Sequence, residues 1–176
     1  GVTGNDVLLL RYNDNGTLDN SFGNNGFAIF GDNNNVNDVA SAMAIHNNKI
    51  YIAGVTGNDV LLLRYNDNGT LDNSFGNNGV ATFDYNNRDD NARAIAFDNN
   101  YIYLAGYTLG GNSDVLLLRC DFNGNLDISF GNNGFATYHN ANEIAYAMAI
   151  DNNFVYLAGD IYQNSEYNTL LLRFFK

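Results

Sequence analysis

Apolar residues fall in short runs, each cut off by Gly, Asn or Asp, and no stretch keeps a 3.6-residue period with a polar face. In residues 54–105 the runs are DVLLLRY at 59–65, GVATF at 79–83, ARAIAF at 92–97 and YIYLA at 101–105. Val, Ile, Tyr, Phe and Thr crowd them, which predicts four short strands and an all-β chain. DVLLLRY is apolar on both faces: Val60 and Leu62 point one way, Leu61 and Leu63 the other. A half-solvated strand would alternate with polar residues, so this sheet must be covered on both sides. The pairs Asn15-Gly16, Asn68-Gly69 and Asn123-Gly124 supply the positive backbone angles of tight turns.

The pattern repeats. Residues 1–26 recur unchanged at 54–79, a third copy with two inserted residues spans 106–134, and a fourth begins at Gly159. Arg11, Arg64, Arg119 and Arg173 mark spacings of 53, 55 and 54 residues, a period in the range of propeller blades. The repeats are 1–53, 54–105, 106–158 and an incomplete 159–176, forming one domain over 1–176. Four-stranded sheets stacked face to face around an axis cover both faces, the β-propeller solution. The Ala-rich run, SAMAI at 41–45, RAIAF at 93–97 and YAMAI at 146–150, suits the crowded strand nearest the axis, strand a. YIYLAG is then strand b, DVLLLRY strand c and GVATF strand d. The chain runs c-d, a-b-c-d twice, then a-b-c. That makes thirteen strands and about 3.25 blades of roughly 54 residues, an arc or part of a larger ring. The remaining blades of the same polypeptide, or other subunits, are the expected partners, because an open arc exposes apolar faces and strand edges.

The segment RYNDNGTLDNSFGNNG, at Arg11 and again at Arg64, with RCDFNGNLDISFGNNG at Arg119, resembles the delta-60 repeat family of bacterial β-propellers. The L-D-x-S-F-G-x-x-G core carries the resemblance, with Asn15, Asn68 and Asn123 where the family has Asp before the turn Gly. The resemblance implies a secreted or cell-surface propeller, often inside a larger multidomain protein, and no catalytic activity. The 34 Asn, with no Pro and no Trp, are a compositional sign of an AT-rich genome.

Charge narrows the function. A net charge of −11 opposes binding to nucleic acid or anionic membranes, and no apolar run is long enough to insert in a membrane as a helix. Cys120 stands alone where the earlier copies have Tyr12 and Tyr65, a packing variant rather than a nucleophile. Arg11 with Asp19, Arg64 with Asp72 and Arg119 with Asp127 recur eight residues apart, which predicts structural Arg–carboxylate pairs pinning each turn. Arg173 lacks such an Asp because the chain ends at Lys176, as expected of a truncated unit or one completed by a partner. Turn loops at 13–16, 66–69 and 121–124, and the acidic clusters at 32–35 and 86–90, offer oxygen ligands without an EF-hand order, so calcium is the one cofactor to consider and none is expected. His46 and His139 occupy non-equivalent positions and are expected on surface loops. Tyr51, Tyr101, Tyr103, Tyr107 and Tyr156 could stack on sugars or pack between blades.

The expected function is a non-catalytic, extracellular or cell-surface scaffold or adhesion module, with a glycan or protein as ligand. One alternative is a carbohydrate-active or calcium-dependent propeller enzyme, its symmetry broken at the longer loop 107–113, the loop 159–167 with Glu166, and Glu143. The other is a structural repeat of a surface fibre or sheath.

Overall fold

The computed structural model describes residues 5–31 and 36–176. Thirteen strands and no helix are found among them: β1 Val7–Leu10, β2 Phe27–Phe30, β3 Asp38–His46, β4 Lys49–Thr56, β5 Asp59–Asn66, β6 Val80–Phe83, β7 Asp89–Phe97, β8 Tyr101–Leu109, β9 Ser113–Asp121, β10 Phe135–Tyr138, β11 Asn142–Ile150, β12 Phe154–Gln163 and β13 Glu166–Phe175. They form four antiparallel meanders in chain order: β1-β2, β3-β4-β5-β6, β7-β8-β9-β10 and β11-β12-β13. The described residues form an open stack rather than a closed ring.

The double-faced strand explains the stacking. Leu61 and Leu63 pack with Val7 and Leu9 of the first sheet. On the other face Val60 and Leu62 pack with Leu116 and Leu118 of the third. Leu117 and Val115 in turn meet Leu170 of the fourth. Each contact buries branched aliphatic side chains completely or nearly so, at roughly 1.5–3 kcal/mol apiece. Strand a takes the inner position, since β3 lies against β7 and β7 against β11.

Strand a also carries a bulge in each copy, between Ala40 and Ala42, Ala92 and Ala94, and Ala145 and Ala147. Opposite each bulge strand b has a glycine, Gly54, Gly106 or Gly159. A Cβ there would collide with the carbonyl oxygen of Val39, Asn91 or Ile144. The bulge presses the backbones together, so only glycine fits.

Two expectations change. The Asn–Gly turns have a positive φ only at the glycine, as in Gly69 (84°), because Asn68 instead accepts bonds from Thr70 through its side chain. The expected loops at 107–113 and 159–167 are largely strand. Tyr107, Thr108 and Leu109 pair with Asn91, Asp90 and Asp89, and β12 runs through Gln163 to a two-residue turn at Asn164 and Ser165. Backbone pairing extends these strands past the point where apolar side chains stop.

Candidate functional site

The recurring arginines form three built clamps. Arg11 Nε donates to Asp19 Oδ2 at 2.8 Å, Arg64 Nε lies 3.0 Å from Asp72 Oδ2, and Arg119 donates to Asp127 through Nε at 2.8 Å. Each carboxylate also accepts from the serine two residues on, Ser21, Ser74 or Ser129. Each guanidinium lies 4.7–4.9 Å from the ring centre of the following phenylalanine, Phe22, Phe75 or Phe130. Arg11 and Arg64 further donate to a carbonyl in the next repeat, Asp67 O at 2.5 Å and Phe122 O at 2.6 Å. One residue therefore ties its own turn to the adjacent sheet. Burial alone would raise the Asp72 carboxyl, but bonds from Lys49 and Ser74 and the Arg64 charge outweigh it and hold it far below the usual range. Arg173 stacks 4.4 Å over Phe154. The forks of Arg11, Arg64 and Arg119 are thus turned to their own carboxylates rather than to a ligand.

The turn oxygens are spent locally. Asn15 Oδ1 accepts from Thr17, and Asp121 Oδ1 accepts from the amides of Asn123 and Asn125. A calcium ion needs six to eight oxygens converging on one point, and these atoms serve their own turns. Residues 32–35 lie outside the described residues. Tyr51 and Tyr103 are buried edge-on against Phe75 and Phe130, the packing role. Cys120 is fully buried, which pushes its thiol well up and leaves it inert. His46 departs from expectation: it ends β3, half-buried, with the Phe97 and Phe122 rings each 4.9 Å away and nearly parallel.

A second recurring feature joins Glu143 and the acidic cluster 86–90, each named from the sequence on its own, to a third acid. Strand a carries an acidic residue at its first or second position in each copy, Asp38, Asp90 and Glu143, and all three are at most 2% exposed. Asp90 sits between sheets with Asp59 of β5 and Asp84 after β6 near it. Burial pushes its carboxyl up to about 6. Bonds from Thr108 and the Tyr85 amide work against this rise, and the Asp84 and Asp59 charges add to it. Asp59 is raised too, by burial and then by Asp84.

One repeat later the same positions hold Asp114, His139 and Glu143, so an imidazole replaces Asp84. Donor atoms of these three all lie within 4.8 Å of one another. Asp114 Oδ1 and His139 Nδ1 share a 2.5 Å hydrogen bond, and Arg88 Nη1 lies 3.4 Å from Asp114 Oδ2. Glu143 Oε1 accepts from the amides of Asn140 and Ala141. Arg88, Gly110, Asp114 and His139 line an open hollow of about 350 Å³. The sequence signal for their common role is an acid two residues ahead of each bulge alanine, and it was hidden because the bulges are not visible in the sequence and these stretches look like loop.

Residues 2–22 and 47–75 match a family model described as a domain of unknown function (DUF5122) β-propeller. Both matched stretches run to the clamp phenylalanine, Phe22 or Phe75, and so cover corresponding parts of two successive repeats. The match supports a β-propeller family, in keeping with the antiparallel meanders. No curated protein and no solved structure matches the chain.

Proposed function

We propose that this chain is a non-catalytic propeller module of the delta-60 type, secreted or displayed on a cell surface, that works as a scaffold completed by further blades. The observation that carries this reading is a pair of open faces of matching kind. On the first sheet Leu8, Leu10 and Ile29 are exposed, although the counterparts of the two leucines, Leu61 and Leu63, are fully buried. On the last sheet Leu171 is exposed, although its counterpart Leu117 is fully buried. The outer face of the last sheet is thus the kind that packs, inside the stack, on the kind left open on the first. Met43 and Ile45 of β3 are exposed for the same reason, since among the described residues the first sheet consists of β1 and β2, without a strand a to cover them.

Repeat-symmetric clamps favour scaffolding over catalysis, because an enzyme site gathers non-equivalent residues at one point. Light scattering on the full chain across a concentration series tests the reading. Mass rising with concentration is expected, with Leu171→Arg holding the protein at the mass of one chain. A chain that stays monomeric throughout sinks it, as does calcium-dependent turnover in a glycan hydrolysis screen.

A further inference from the structure

We infer that Asp114, His139 and Glu143, at the junction of the third and fourth sheets, form a binding site for a divalent transition metal such as Zn²⁺. Three observations meet there. The first is the donor set itself, two carboxylates and an imidazole within 4.8 Å, contributed by β9, the segment after β10, and β11. The second is Glu143: its side chain is fully buried, yet Oε2 has no hydrogen-bond partner among the described residues. A carboxylate oxygen removed from water without a partner is costly, and a cation is the partner that relieves the cost. The third is the comparison within the chain. The counterpart junction carries Asp84 where this one carries His139, so nitrogen ligation is offered at one junction and not at the other.

Mixed nitrogen and oxygen donors favour zinc or a neighbouring ion over calcium, which takes oxygen alone and more of it. On a tetrahedral zinc ion with bonds near 2 Å, donors stand roughly 3.3 Å apart, so the Asp114–His139 pair, now 2.5 Å apart, has to open while any separation near the 4.8 Å limit closes. His139, whose side chain is 63% exposed, is free to make that movement. Arg88 engages Asp114 Oδ2 and leaves Oδ1 facing His139 Nδ1, and the ion displaces the proton those two atoms share. The remaining coordination position faces the open hollow beside Asp114 and His139, where water or a ligand oxygen completes the shell.

Titrating the full chain with Zn²⁺ alone, by calorimetry and by competition with a chromophoric chelator, tests the site. One ion is expected per chain. His139→Ala and Glu143→Gln should each weaken it at least about 10-fold, and Asp84→Asn should leave it unchanged. His139 is exposed, so its removal spares the fold and decides the matter even if Glu143→Gln fails to fold. No zinc uptake, uptake undiminished in His139→Ala, or equal loss in Asp84→Asn would overturn the assignment.

Discussion

At the scale of single residues, the charged groups divide into those the fold stabilises as ions and those it penalises. Asp19, Asp72 and Asp127 belong to the first kind. Their serine and arginine partners keep them ionised, and the stability they confer is lost only as pH falls through their lowered range. Asp90 belongs to the second. Its folded value of about 6 lies above the usual aspartate value, so the native state prefers the protonated form. Stability from this group is fully present below about pH 4 and is lost as pH climbs through about 6, at a cost of up to about 3 kcal/mol. Asp90→Asn removes that dependence. Between pH 4.5 and 7.5 the variant is expected to lose less melting temperature than the parent chain, as read by thermal denaturation. Identical losses in the two proteins would mean that Asp90 is ionised in the fold at no cost.

At the scale of the element, the bulge in strand a and the glycine of strand b act as one unit. Gly106 has no positive φ, so conformational freedom is not its reason for being there. Its reason is the Asn91 carbonyl, which occupies the space a methyl group would need. Gly111 is the opposite case, with a φ of 107° and nothing within 4 Å of an added Cβ. Gly106→Ala should therefore cost about 2–4 kcal/mol, as overpacking between paired backbones does, and Gly111→Ala nearer about 1 kcal/mol. Urea midpoints at constant m-value measure both, and equal costs would mean the bulge yields. Strand order and the two-faced strand c were legible in the sequence, because Val60 to Leu63 carry apolar side chains in an unbroken run. So were the Arg64–Asp72 spacing and its equivalents. The bulges were not, since one inserted residue leaves the alternation of small side chains in SAMAI or RAIAF unchanged. Glu143 and the acidic cluster ending at Asp90 were visible as single features, but their common position was not, since it is fixed by backbone pairing that composition does not reveal.

At the scale of the whole molecule, the proposed scaffold role makes the two open faces the surfaces through which copies would associate. They are not the same surface: Leu8 and Leu10 are of the kind that receives, Leu171 of the kind that covers. An interface between unlike surfaces is head-to-tail, and it closes a ring only if its rotation divides a full turn; otherwise it grows into a filament. A self-complementary dimer would use one patch twice. The two geometries respond differently to paired mutations. Leu8→Glu spoils the first face and leaves the last intact, whereas Leu171→Arg does the reverse. Each variant alone should be monomeric at concentrations where the parent chain associates. Mixed in equal amounts, they should form a dimer and stop there, because the one intact interface leaves only spoiled faces outside. Sedimentation velocity reads the outcome directly. Dimers in either variant alone would reveal a two-fold contact on another surface, and a mixture that stays monomeric would show that the leucine faces do not meet each other. A parent chain that closes into small discrete rings satisfies the same rule, and its ring size then gives the number of sheets around the axis.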